Sequence, residues 1–205
     1  MLVVVDSGIS NIGSLVNMLR KIGVAATVSH LKDDIEQADK LILPGIGSFD
    51  AGMQRLSAMN LQDVLNKKVK EERTPTLGIC LGMQLMARSS TEGKVAGLSW
   101  FDAEVIRFDP SLQDPQVKIP HMGWNFIDQV KASRLFENFP PNPKFYFVHS
   151  YHFKPNNEDD VLATTHHGYP FASAIEKGNI AGVQFHPEKS HKFGMQLLKN
   201  FVELF

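Results

Sequence analysis

Cysteine is almost missing from this chain of 205 residues, with Cys80 the only one. A single thiol excludes an intrachain disulfide framework and suits the reducing cytoplasm. An excess of one charge sign is missing too: 21 Lys and Arg face 22 Asp and Glu. That balance exerts no pull toward nucleic acid or an acidic membrane surface, so neither is expected as a partner. Nowhere do 18 apolar residues run together, so no membrane span is expected. The apolar opening Met1 to Val5 is closed by Asp6 and is too short for a secretory leader. Internal repeats, low-complexity tracts and long linkers are likewise missing. What remains, 43% hydrophobic and 21% charged residues, is the profile of a soluble globular protein. The length is ample for a large core, and residues 1–205 read as a single domain.

What is present in the first half is alternation. Leu2 to Val5 is a continuous apolar run, the pattern of a parallel strand buried on both faces. Ile12, Leu15, Val16, Leu19 and Ile22 then recur at helical spacing, with Asn11 placed to cap and Gly23 to stop. Val24 to Val28 and Lys40 to Leu43 are further strand candidates. Helical stretches follow at about Asp50 to Met59 and Leu61 to Glu72. Thr76 to Ile79 is a fourth strand, and Gly82 to Ala87 opens another helix. The second half changes character: short β-prone runs, among them Phe145 to Tyr151, Val161 to Thr165 and Ile180 to Gln184, are broken by Pro110, Pro115, Pro120 and Pro140 to Pro143. A closing helix from about Phe193 turns Leu197, Leu198 and Phe201 inward. The expected fold is α/β, a mostly parallel central sheet with helices on both faces and short antiparallel strands added in the second half.

The lone cysteine lies within Leu77-Gly78-Ile79-Cys80-Leu81-Gly82-Met83-Gln84-Leu85, between a predicted strand and a predicted helix. Without context, such a cysteine reads as a small buried hydrophobe. Here Gly78 and Gly82 permit the strained backbone and close packing of a nucleophile elbow. Free N–H groups at a helix N-terminus would favour thiolate over thiol. A base is found in Phe185-His186-Pro187-Glu188. Pro187 biases His186 toward extended backbone, in which residues i and i+2 face the same way. Glu188 can then accept from one imidazole nitrogen while the other exchanges a proton with Cys80. After the third strand, Pro44-Gly45-Ile46-Gly47 belongs at the ligand crevice of a parallel sheet. Its N–H groups, with that of Leu81, can face a developing oxyanion, although an ordinary glycine-proline turn would read the same.

Other motifs are weaker. Gly8 to Gly13 is neither a dinucleotide fingerprint nor a Walker loop. His149 and His152, three apart in one predicted strand, should point to opposite faces, so no metal site is expected. Lys67 to Arg73 mixes signs and reads as a solvated helix face.

Gly78-Ile79-Cys80-Leu81-Gly82 with Gln84, together with His186-Pro187-Glu188, resembles the class I (triad-type) glutamine amidotransferases. Pro120-His121-Met122-Gly123-Trp124-Asn125 and Tyr146 to Tyr151 narrow the resemblance to the glutaminase subunits of imidazole glycerol phosphate synthases, across essentially the whole chain. It implies that Cys80 attacks the side-chain amide of glutamine, that His186 protonates the leaving ammonia, and that Glu188 orients His186. It also implies a glutamyl thioester, a glutamine held by Gln84 and His149-Ser150-Tyr151, and an oxyanion hole made by Gly45, Ile46, Gly47 and Leu81. No cofactor is implied. The implied partner is a (β/α)₈ cyclase that receives ammonia through a channel, with Trp124 and Lys189 facing it. Two positions depart from the pattern: Ser7 after Asp6, where many relatives have tyrosine, and His191 after Ser190, where a second serine is common. Two alternatives therefore stand beside this one, a paralogue feeding sugar amidation in surface-polysaccharide synthesis and a stand-alone γ-glutamyl hydrolase.

Overall fold

The computed structural model describes residues 1–112 and 117–205; Pro115, expected to break the chain, lies outside them. The first half alternates as expected. Strands β1 (Leu2–Val5), β2 (Ala26–Ser29), β3 (Lys40–Gly45) and β4 (Thr76–Cys80) are separated by helices α1 (Ile12–Lys21), α2 (Lys32–Glu36), α3 (Phe49–Ala58) and α4 (Gln62–Asn66). Helix α5 (Leu81–Gln84) follows β4 directly, and α6 (His191–Glu203) closes the chain. Between them come β5 (Ser89–Ser90), β6 (Ala103–Arg107), β7 (His121–Phe126), β8 (Asp128–Gln129), β9 (Lys144–His149), β10 (Tyr151–Pro155), β11 (Val161–His167), β12 (Tyr169–Lys177) and β13 (Ile180–Val183).

Among the described residues one large sheet runs β2-β1-β3-β4-β13-β12-β10-β6-β5, with β11 beside β12 and β8 beside β11. Its first five strands are parallel, and β12 then pairs antiparallel with β13 and with β10. Strands β7 and β9 form a separate antiparallel pair. The apolar runs explain the layering. Side chains alternate across a strand, so Val3, Val5, Leu41 and Leu43 enter one core with Phe49, Met53, Leu56 and Leu65 of α3 and α4. Leu2, Val4 and Ile42 enter the other, with Leu15 and Leu19 of α1 and Leu197, Leu198 and Phe201 of α6. Each large side chain so buried contributes roughly 1.5–3 kcal/mol. Helices thus cover both faces, as the sequence pattern requires.

Several expectations shift. Helix α1 starts after Asn11, but the Asn11 side chain makes no capping bond; Gly23, at φ 79°, does terminate the turn. Helix α2 carries one inward residue, Ile35, too few for a readable period. The chain from Leu61 to Glu72 continues beyond α4 as a π-helical stretch, Lys67–Glu71. The wider turn there puts Lys68 inside, 5% exposed, donating to the Glu36 carbonyl and to Glu72. The segment is therefore not the uniformly solvated face expected of its charges. Helix α5 is a single turn, shorter than the Gly82 to Ala87 stretch suggested, because Met86 N and Ala87 N beyond it bond only three residues back, to the Met83 and Gln84 carbonyls. No helix among the described residues is long and apolar enough to cross a membrane.

Candidate active site

Cys80 sits at the end of β4 with φ 53° and ψ −110°, a region that non-glycine residues occupy only when the surroundings enforce it. The enforcement is steric. A Cβ on Gly82 would lie 1.7 Å from the Leu43 carbonyl oxygen, and one on Gly78 would lie 2.7 Å from the Met83 amide nitrogen. Both glycines therefore let β3, β4 and α5 pack at backbone contact and force the sharp turn at Cys80. One turn of helix carries little macrodipole. The field expected from α5 is thus small, and the positive partner of the thiol has to come from elsewhere.

It comes from β13, which lies parallel to β4 with Ile79 opposite Val183. That register brings the residues following each strand to the same edge of the sheet. His186 there has extended backbone, φ −102° and ψ 97°, as Pro187 predicts. Its Nδ1 lies 2.7 Å from Glu188 Oε1 with both side chains buried, while Nε2, also buried, has no hydrogen-bond partner among the described residues, and His186 lines the same cavity as Cys80. Burial opposes a charged imidazole, but the nearby Cys80 sulfur and the Glu188 carboxylate outweigh it and raise the His186 pKa above its ordinary value. The loop is tied down on its other side. His186 N donates to the Tyr146 carbonyl, while Ser190 Oγ donates to the His186 carbonyl and accepts from Tyr146 N.

A cavity of about 400 Å³ opens over Cys80 and His186. Its lining includes the sequence-predicted Ile46, Gly47, Leu81, Gln84, His149, Ser150, Tyr151 and Lys189. Glu188 stands behind His186, away from the cavity, and Trp124 lies outside it. Glu92 also lines the cavity, its carboxylate accepting from Phe49 N at 2.7 Å; no motif singles it out in the sequence. Gly47 has φ 102°, and the Ile46 N–H donates to the Ile9 carbonyl at 2.9 Å, turned away from the thiol. Gln84 spends both amide hydrogens inside the protein, on the Tyr151 carbonyl and on Gln184 Oε1. It therefore offers the cavity only its carbonyl oxygen. His149 similarly has both ring nitrogens occupied, Nδ1 by the Tyr151 carbonyl and Nε2 by His121.

The expectation that His149 and His152 face opposite ways does not hold. The backbone breaks at Ser150, so His149 ends β9 in the small sheet and His152 belongs to β10 in the large one. Both rings pack on Phe108, at centroid distances of 5.3 Å and 4.7 Å. With buried His121 and half-buried His167 they form an imidazole cluster. Among the described residues no group of three or more His, Cys, Asp or Glu is arranged to hold a metal ion. Burial lowers the His121 pKa to about 3 and that of His152 to about 4, and holds His149 well below the ordinary value. A depressed folded-state value means that the unfolded chain binds the proton first. Stability from these groups is therefore complete above about pH 6.5 and lost as pH falls toward 3–4, at a cost on the order of 2 kcal/mol per buried imidazole by pH 5. The melting temperature should drop between pH 7 and pH 5, and the drop should shrink in His121→Phe. A parallel drop in both proteins would place the acid sensitivity elsewhere.

Beside the cavity, the outward face of the small sheet is apolar. Met122, Trp124 and Phe126 of β7 are 62%, 43% and 47% exposed, and pair with Val148, Tyr146 and Lys144 of β9. Trp124 stacks on His191 at 5.3 Å, and Lys189 Nζ lies 5.5 Å from the Tyr146 ring centre. Three neighbouring exposed apolar side chains on one strand mark an interaction surface more than a solvated one.

Residues 3–204 match the family model described as glutamine amidotransferase class-I. The chain is 48% identical over 204 residues to imidazole glycerol phosphate synthase subunit HisH 2 of Pseudomonas aeruginosa, covering 100% of both chains. It is 48% identical over 203 residues to the protein of the same name from Methanococcus maripaludis, covering 99% of each. Among solved structures, one described as a glutamine amidotransferase superposes with a TM-score of 0.76 at 20% identity, over 98% of this chain and 97% of that one. A chain of PurLQS from Thermotoga maritima gives 0.71 at 17% identity, over 98% and 96%. These two likenesses are of fold.

Proposed function

The chain belongs to the class I glutamine amidotransferases, and on that basis we propose that it is the glutaminase subunit of an imidazole glycerol phosphate synthase, acting in histidine biosynthesis. The observation that carries this reading is the buried Cys80, His186 and Glu188 arrangement under a cavity of glutamine size, in a chain aligned end to end with relatives of that name. Cys80 Sγ, as thiolate, attacks the side-chain carbonyl carbon of glutamine. His186 passes its proton to the amide nitrogen, the C–N bond breaks, and ammonia leaves a glutamyl thioester. Water, deprotonated by the same imidazole, then attacks the thioester and releases glutamate. Glu188 fixes the ring by its bond to Nδ1 and takes no proton. Leu81 N–H and the Gly47 region face the oxyanion of each tetrahedral intermediate.

The rest of the cavity fits the other end of glutamine. The Gln84 carbonyl oxygen and the Glu92 carboxylate are acceptors suited to its ammonium group, while Ser150, after the break between β9 and β10, offers donors to its carboxylate. His149 contributes through its backbone and through shape, since its ring nitrogens are occupied. The β7–β9 face with Trp124, together with Lys189 at its edge, is the docking surface for a (β/α)₈ cyclase in the cytoplasm. Ammonia released beside that face passes to the partner without crossing bulk water. The test pairs the purified chain with such a cyclase and its phosphoribulosyl imidazole-carboxamide substrate. Glutamine should support ring closure at low pH, where free ammonia is scarce, and Trp124→Ala should uncouple glutamate release from ring closure. A chain that releases glutamate but supports no ring closure with any such cyclase would overturn the pathway assignment.

A further inference from the structure

Gln184 follows β13, is fully buried, and has no part in the scheme above. Its surroundings form one continuous chain of hydrogen bonds. Gln84 Nε2 donates to the Tyr151 carbonyl at 3.1 Å and to Gln184 Oε1 at 3.0 Å. A carbonyl can only accept, so the Gln84 amide has one orientation, and it fixes that of Gln184 in turn. Gln184 Nε2 consequently faces the Cys80 sulfur, at 3.7 Å. On its other side the Tyr151 carbonyl accepts from His149 Nδ1 at 2.8 Å. With its proton on Nδ1, His149 must accept at Nε2, and it does so from His121 Nδ1 at 3.0 Å. His121 Nε2 in turn accepts from the Asn125 side-chain amide at 3.1 Å. Burial keeps both imidazoles neutral. A proton on His149 Nε2 would set two N–H groups against each other and break the chain at its middle.

We propose that Gln184 is a positioning residue for the nucleophile: its amide N–H holds the Cys80 sulfur and favours the charged form, and the His121–His149 pair keeps that amide turned toward it. An N–H donated to a thiolate is a charge-assisted bond, and a donor facing the charged form stabilises it. The position demands such a role. Val183 and Phe185 on either side are fully buried, and an amide placed there without partners would be costly. The proposal rests on the glutaminase reading for what the sulfur attacks, but not for how the sulfur is held.

The single cysteine makes the test direct. Alkylation of the folded chain by iodoacetamide at neutral pH reports the charged sulfur whether or not glutamine is the substrate. Gln184→Met keeps the length of the side chain and removes its N–H. Alkylation should slow about ten- to a hundredfold, and kcat for glutamine should fall alike, the size expected for losing a hydrogen bond to a charged group. His121→Phe keeps the ring packed on Phe147 (centroids 4.6 Å apart) but removes the donor, and should slow alkylation about three- to tenfold. An alkylation rate within twofold of the parent in Gln184→Met overturns the proposal. If that variant does not fold, His121→Phe decides it on the same readout. Slowed alkylation in a chain that hydrolyses no glutamine upholds the positioning role and rejects the glutaminase reading; unchanged alkylation with normal glutamine turnover does the reverse.

Discussion

Cys80→Ala is expected to abolish glutamine hydrolysis, lowering turnover by several orders of magnitude, while the melting curve and partner binding stay close to those of the parent chain. The reasoning is chemical and steric. No other cysteine exists to take over the attack, and losing the nucleophile of a triad removes the whole unit at once. The replacement is small and apolar, at a site where the thiol is already 7% exposed, so the elbow should close over it with little strain. Glutamate release under saturating glutamine measures the effect. Retention of more than about a tenth of parent turnover would show that the reaction does not pass through this sulfur. Within the same series Glu188→Gln should be milder than His186→Ala, because an amide oxygen can still accept from Nδ1 whereas no other group can move the proton. Equal losses in folded proteins would give Glu188 a role beyond orientation.

Docking of the cyclase with its nucleotide ligand should raise glutamine turnover about 10²–10³-fold over the free chain, the worth of one oxyanion donor. In the free chain the Ile46 N–H is committed to the Ile9 carbonyl at 2.9 Å. It cannot serve the oxyanion until that bond is exchanged. Gly47, at φ 102°, gives the loop the freedom to turn, and a partner seated on the adjacent face can favour the turned state by binding it more tightly. Gly47→Val, which resists the positive φ of the resting loop, should unsettle that loop and raise the basal rate, narrowing the activation. Full activity of the free chain, unchanged by partner and ligand, would reject gating and leave a stand-alone hydrolase.

Much of this site is legible because its signals are local. The strand, the glycine frame and the cysteine lie within nine residues, and Pro187 fixes the backbone of His186 by its ring alone. The parallel strands announce themselves as unbroken apolar runs. What escapes reading is what distance in sequence conceals. Strand β12, with Pro170 near its start and small residues along it, has no periodic pattern and owes its place to pairing with β11, β10 and β13. Glu92 reaches the cavity only because it bonds the N-terminus of α3. The roles of Gln184 and His121 exist only in the hydrogen-bond chain, which joins β13, β7, β9 and α5. Lys68 defies its charge pattern because a π-helical turn rotates it away from the face that α-helical spacing assigns.

The pairing of Ile79 with Val183 has a bearing on how this protein can be lengthened. Nucleophile and base each follow one of these two partners, so their separation is set by a ladder of backbone hydrogen bonds and a fixed strand spacing of about 4.8 Å. Of the hundred or so residues between them, Tyr146 steadies the His186 end of that distance through its carbonyl, while the exposed turns carry none of it. An insertion at an exposed turn in this stretch, such as Asn142 or Asn156, leaves the distance from sulfur to imidazole as it was. A single residue added inside β4 or β13 moves one of the two out of reach and turns its strand inside out. The chain is therefore tolerant in length where it is long and intolerant where it is short, and a reporter peptide can be threaded into the former without touching the chemistry.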